Sequence, residues 1–212
     1  MTLAKKILAG TVGIDIIAGP SEILVIADES AKPEFIAADL LSQAEHDVRS
    51  SALLITDSDK LARATVREIN GQLEKLPRAE IAKESLARYG AVITVQSNAV
   101  AIELANRIAP EHLELQTRDP FEVVGKIRNA GAVFLGDYSP EPVGDYIAGP
   151  NHVLPTAGTA RFSSALSVDN FIKKTSLIQY TQKAFQREAP DIIRLAEIEG
   201  LGAHAGSIKV RL

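Results

Sequence analysis

Four short runs of apolar, mostly branched residues, Ile23–Asp28, Ser51–Asp57, Ala91–Val95 and Ala132–Leu135, recur along the first two thirds of the chain with stretches of helical spacing between them. A strand apolar on both faces has no side to turn to water, so the sheet it joins has to be covered twice. Leu113–Thr117 alternates apolar and polar residues and adds a further strand. The intervening stretches read as helices over about Pro33 to Glu45, Ser58 to Lys75, Asn98 to Ile108 and Pro120 to Ala130. In the second, Leu61, Ala62, Val66, Ile69 and Leu73 keep helical spacing; in the last, a proline stands in the first turn. Strands that alternate with helices in this way define an α/β fold with parallel strands and flanking helices.

The pattern stops at Gly136, where Gly, Pro and Asn crowd the chain as far as Gly158. Such a stretch is a long functional loop or a linker. Beyond it, Asp169 to Gln182 and Lys183 to Glu199 are expected to be two helices. The resulting division is an α/β body over 1–160 and a C-terminal helical arm over 161–212. An alternative splits the body into two half-domains meeting near 108–112. At 212 residues and 46% hydrophobic the chain can bury a substantial core. A net charge of −4 with both signs interspersed provides no basic stripe, so no nucleic-acid partner is expected. The absence of cysteine removes disulfides, thiolate metal sites and thiol catalysis together, and suits a reducing compartment. Lys5-Lys6 before Ile7-Leu8-Ala9 resembles the start of a signal peptide, but Gly10, Gly13 and Asp15 break the apolar run. With no run of membrane-spanning length, no membrane partner and a cytoplasmic location are expected.

Four histidines are the whole imidazole inventory, His46, His112, His152 and His204. Gln43 and His46 stand three residues apart at the end of a helix and share one face, which suits a cation if other segments bring further ligands. By itself that spacing is more commonly a solvated helix edge. Glu111 and His112 precede a strand and offer two bases of different pKa, a pairing suited to activating water and relaying a proton, or simply a surface dipeptide. His152 and Asp145 lie in the Gly/Pro-rich stretch, where turn chemistry alone accounts for many such residues. His204 follows the last helix, five residues after Glu199. The glycines around Gly10-Thr11-Val12-Gly13 do not follow a strand and open a helix, as dinucleotide binding requires. Ser21 lacks the flanking glycines of a nucleophile elbow.

Five segments taken jointly point further: Gly19-Pro20-Ser21-Glu22, Leu40–Asp47, Ala109-Pro110-Glu111-His112-Leu113, Gly149–Thr156 and Glu197–Leu201. With these motifs the chain resembles the C-terminal half of the histidinol dehydrogenase family, which oxidises L-histidinol to L-histidine with two NAD. The resemblance implies incomplete Rossmann-like layers, with zinc ligands at Gln43, His46, Asp145 and His204. It implies Glu111 and His112 as the proton-transfer pair, and Ser21, His152 and Glu199 as further substrate contacts. It also implies a homodimer whose arms complete each other's sites, and NAD-contacting residues in an N-terminal half that a complementing chain would supply. A zinc-binding, dimerising fragment without turnover and a zinc hydrolase with Glu111 as base are the alternatives. Dependence on NAD separates them.

Overall fold

The computed structural model describes residues 2–212, which form two compact units, 2–171 and 172–212. In the first, five strands form one parallel sheet: β1 (Glu22–Ala27), β2 (Ser51–Thr56), β3 (Gly90–Thr94), β4 (His112–Gln116) and β5 (Ala132–Leu135), in the order β3-β2-β1-β4-β5. The chain builds outward from β1 to β3, then returns across the sheet to β4 and β5. That reversal makes the sheet doubly wound, with its topological switch between β1 and β4.

Side-chain alternation along β1 explains the two covered faces. Ile23, Val25 and Ala27 pack with Ile36 and Leu40 of α2 (Pro33–Ala44), Leu54 and Leu61, the last of these on α3 (Asp59–Leu73). Leu24 and Ile26 face the other way, onto Leu113, Leu115 and the small residues Ala101 and Ala105 of α5 (Asn98–Ile108). Ala101 and Ala105 keep that helix close to the sheet. α2 begins with Pro33, whose missing N–H costs nothing in a first turn, and α3 begins where Ser58 Oγ accepts the Leu61 N–H at 3.2 Å.

Several elements differ from the sequence reading. A helix α4 (Ala79–Tyr89) packs Ala82 and Leu86 beside α2 and α3, although its apolar spacing is thin. The helix expected to reach Ala130 stops early, as α6 (Pro120–Val124). Asn106 Oδ1 accepts the N–H groups of Arg128 (2.6 Å) and Asn129 (3.2 Å), which bends the chain back toward α5. Within the Gly/Pro-rich stretch a short α7 (Glu141–Tyr146) forms, and Gly144 makes it possible: a Cβ there would come within 2.7 Å of the Phe134 ring. α1 (Thr2–Leu8) precedes the sheet.

In the second unit, the helix expected over Asp169–Gln182 does not form. A 3-10 turn covers Val168–Phe171 at the end of the first unit, and 172–181 carries no regular structure. Ile172, Thr175, Ile178 and Thr181 are β-branched and weaken helix formation there. The helix α8 (Gln182–Ile198) starts instead where Thr181 Oγ1 accepts the Ala184 N–H at 3.2 Å. After Gly200, whose φ of 72° turns the chain, α9 (Gly202–Lys209) follows, so His204 lies inside a helix and not in a tail. Among the described residues no helix is long and apolar enough to cross a membrane.

Candidate active site

The sheet brings its chemistry to the amino ends of the strands, opposite the edge where open α/β sheets usually bind ligands. α5 closes at Ala109, which is buried and takes the left-handed conformation (φ 55°), and Pro110 prevents any further turn. Glu111 and His112 are thereby delivered at the start of β4. Gly131 is required there: its N–H reaches Pro110 O at 2.9 Å, and a Cβ would stand 2.5 Å from Glu111 O.

Glu22, the first residue of β1, organises this pair. Its backbone N–H donates to Glu111 Oε2 at 2.9 Å, and the Glu111 N–H donates back to Glu22 Oε2 at 3.3 Å. The other oxygen, Glu22 Oε1, accepts the Ala157 N–H at 2.9 Å. Its carbonyl lies 2.9 Å from His112 Nδ1. A carbonyl only accepts, so Nδ1 carries the proton and the neutral ring presents a bare Nε2. Burial lowers the His112 pKa, which keeps the ring neutral, although the Glu22 contact and Asp145 pull the other way.

Among the described residues His112 Nε2 has no hydrogen-bond partner, and it lies 3.8 Å from Glu141 Oε1. Glu111 Oε2 is 3.6 Å from Nδ1 of the same ring. Burial pushes the Glu111 carboxyl up to about 8; the Glu22 N–H opposes that rise, and the carboxyls of Glu22, Asp145 and Glu141 add to it. Glu141 is likewise pushed up to about 8, first by burial and then by Asp145. Among the described residues no lysine or arginine pairs with Glu111, Glu141 or Asp145. Carboxyls gathered without a cation favour a positive guest.

Two observations fit that guest to a metal ion. One ligand atom each from His112, Glu141 and Asp145 lies within 4.8 Å of the others. Gln43, in the last turn of α2, is 1% exposed, and neither its Oε1 nor its Nε2 finds a partner among the described residues. A buried amide with both atoms unbonded costs several kcal/mol by the usual reckoning of about 1–3 kcal/mol for each unmade bond, unless a ligand completes it.

The structure thus brings Glu111, His112 and Asp145 together. His46 follows the end of α2, where its N–H reaches Gln43 O at 3.2 Å. It is exposed and lines, with Ser21, an open cleft of 1370 Å³. His152 is exposed in an irregular segment of the same unit. Glu199 and His204 belong to the second unit, and both are exposed. The sequence reading passed over Glu141, Glu114, Gln116 and Asp39, and quoted Glu22 without giving it a role. No motif marks the first four; Glu22 stood inside Gly19-Pro20-Ser21-Glu22, and its place at a strand start beside Glu111 appears only once β1 pairs with β4.

Fold and site together define a doubly wound α/β protein with a buried imidazole–carboxylate pair and a donor set suited to a divalent cation. The family model for histidinol dehydrogenase matches residues 1–212, and the chain belongs to that family. It is 59% identical over 212 residues to histidinol dehydrogenase of Heliobacterium mobile and 57% identical to that of Carboxydothermus hydrogenoformans, covering all of this chain and 50% of each relative. The Bacillus subtilis enzyme is 57% identical over 211 residues. The crystal structure of histidinol dehydrogenase from Elizabethkingia anophelis superposes with a TM-score of 0.94 at 45% identity, over 99% of this chain and 48% of that one. The chain spans about half the length of the curated relatives it matches.

Proposed function

We propose that this chain supplies the metal site and the proton-transfer pair for the oxidation of L-histidinol to L-histidine through the aldehyde, with two NAD as hydride acceptors. The observation that carries the reading is His112, whose Nδ1 is committed to the Glu22 carbonyl and whose unprotonated Nε2 faces the carboxyls of Glu141 and Asp145. Gln43, His46, Asp145 and His204 are assigned to zinc, which when bound would serve as a template for the substrate's imidazole and amine. The close trio of His112, Glu141 and Asp145 offers a different ligand set, but His112 is needed as the base, and the unbonded amide of Gln43 has no other use.

His112 Nε2 is the group that would take the hydroxyl proton as the alcohol is oxidised. Glu111, once ionised, would take a proton from the water that adds to the aldehyde before the second oxidation. Its pKa near 8 leaves it mostly protonated, and unable to take that proton, below about pH 8, and available as a carboxylate above. Ser21 and His152 contact substrate. Glu199 and His204 are assigned to the site of a second copy, so the working unit is a homodimer with shared sites, each copy carrying an α/β body and a helical arm. The nucleotide contacts are assigned to an N-terminal half, and the cysteine-free composition suits the cytoplasm.

The half-length match favours a second reading, in which the chain binds zinc and dimerises but turns over only when complemented. The experiment uses the chain together with the N-terminal half of a family relative, and follows NADH from histidinol and from histidinal. Glu111→Gln is expected to slow histidinal oxidation by roughly 10²–10⁴-fold and histidinol's first step far less, whereas His112→Asn depresses both. Equal losses on both substrates for Glu111→Gln would refute the division of labour, and hydrolysis without NAD would refute the dehydrogenase reading.

A further inference from the structure

β4 places His112, Glu114 and Gln116 on one face and Leu113 and Leu115 on the other. Alternation of this kind normally marks a wetted face, yet Glu114 is 1% exposed and Gln116 3%. Gln116 Nε2 uses both of its hydrogens on carboxylates, at 2.7 Å to Asp39 Oδ2 on α2 and at 2.8 Å to Glu114 Oε2. The second Glu114 oxygen accepts the backbone N–H of Glu141, the first residue of α7, at 2.9 Å. Burial raises the Glu114 carboxyl well above its ordinary range and the Asp39 charge adds to the rise; burial raises Asp39 as well.

This buried network joins α2 and α7 through the polar side chains of β4. Asp39 lies one turn before Gln43 on α2, and Glu141 lies one turn before Asp145 on α7. α7 has only six residues, too few to be stable or to hold a position by its own hydrogen bonds, and irregular chain flanks it on both sides. Apolar side chains would fill the same volume without the cost of burying acids. The polar set therefore points to a requirement for direction rather than for packing.

We propose that Glu114 and Gln116 are positioning residues, a buried pin between α2 and α7 that sets Gln43 and His46 at the right separation from Asp145 for one metal ion. The pin rests on the zinc reading above for its purpose, but its existence can be measured without metal.

The test is made on the 212-residue protein. In the metal-free form, amide hydrogen exchange followed by NMR compares Glu114→Ala, Glu114→Gln and the unmodified chain. The Glu141 amide is expected to exchange at least tenfold faster in Glu114→Ala, while the amides of β1 and β2 keep their protection, and Glu114→Gln, which retains an acceptor for that N–H, restores slow exchange. In the second measurement, a chelator competition, Gln116→Met keeps the volume, removes the donor and is expected to weaken zinc binding by about 10–100-fold. Unchanged exchange at Glu141 in Glu114→Ala, or unchanged zinc affinity in Gln116→Met, overturns the pin. If Glu114→Ala does not fold, Gln116→Met decides through Glu141 exchange, expected to quicken with the donor gone. A chain that binds no zinc at all counts against the metal reading, and exchange alone then decides the pin.

Discussion

The Glu111 carboxyl should make the metal-free protein less stable as pH rises, and replacing it should remove much of that loss. Its pKa stands at about 8 against an ordinary 4.5, chiefly because burial withdraws water from the charged form. The folded state therefore holds a proton that the unfolded chain releases. Stability from this group is fully present below about pH 4.5 and is lost progressively as pH climbs to about 8, the reverse of an acid held in a salt bridge. At about 1.4 kcal/mol for each pH unit of displacement, the loss attributable to this one carboxyl is on the order of 5 kcal/mol. That is a large share of the 5–15 kcal/mol by which a domain is commonly stable, of the order that decides folding. Glu111→Gln keeps the shape and an acceptor for the Glu22 N–H, but cannot ionise. Urea unfolding of chelator-treated protein, followed by far-ultraviolet circular dichroism at pH 5, 6.5 and 8, reads the effect. The unmodified chain should lose stability across the series, and Glu111→Gln should lose several kcal/mol less, with the remainder due to Glu141. A variant whose pH dependence matches that of the unmodified chain would refute the argument, as would stability that rises from pH 5 to pH 8.

His46→Ala and Asp145→Ala should each lower the zinc content of the dialysed protein measured by atomic emission, and unchanged stoichiometry in either would remove that residue from the ligand set. Leu24→Ala empties a fully buried position against α5 and should cost about 2–5 kcal/mol in chemical denaturation, since the parallel sheet on either side has little freedom to collapse. Gly131→Ala places a methyl against Glu111 O and should destabilise by about 1–3 kcal/mol, with Glu111 displaced in a crystal structure of the variant. Thr181→Ala removes the cap of α8 and should lower the stability of that helix by about 1 kcal/mol, visible as faster amide exchange in its first turn.

Much of the sheet was legible because its strands β1 and β2 are apolar and largely buried on both faces. Ile23–Asp28 and Ser51–Asp57 cannot be half-wetted strands, and the elements between them had room only for helices. α4 escaped because its buried face is small, Ala82 and Ser85, and α7 because Gly and Pro usually end helices and here fit one against Phe134. The 169–182 stretch misled in the other direction, since apolar spacing there met no surface within its own unit to reward a helix. At the site, the sequence reading picked out Glu111, His112 and Asp145, which the structure brings together. Their supports could not be picked out. Glu22 reaches Glu111 across 89 positions of sequence and Gln116 reaches Asp39 across 77, and only the pairing of β1 with β4 and the packing of α2 bring those partners into range. Leu113-Glu114-Leu115-Gln116 alternates like any surface strand, so nothing in its pattern tells a buried polar face from a wet one.

The most direct test mixes the 212-residue chain with the N-terminal half of a family relative, adds zinc, NAD and L-histidinol, and counts NADH against L-histidine. The account expects about two NADH for each histidine from the mixture, because the product lies four electrons beyond the alcohol. It also expects NADH formation to fall by roughly 10²–10⁴-fold when His112→Asn replaces the unmodified chain. NADH formation undiminished by His112→Asn, or no NADH from associated halves with zinc bound, would contradict it.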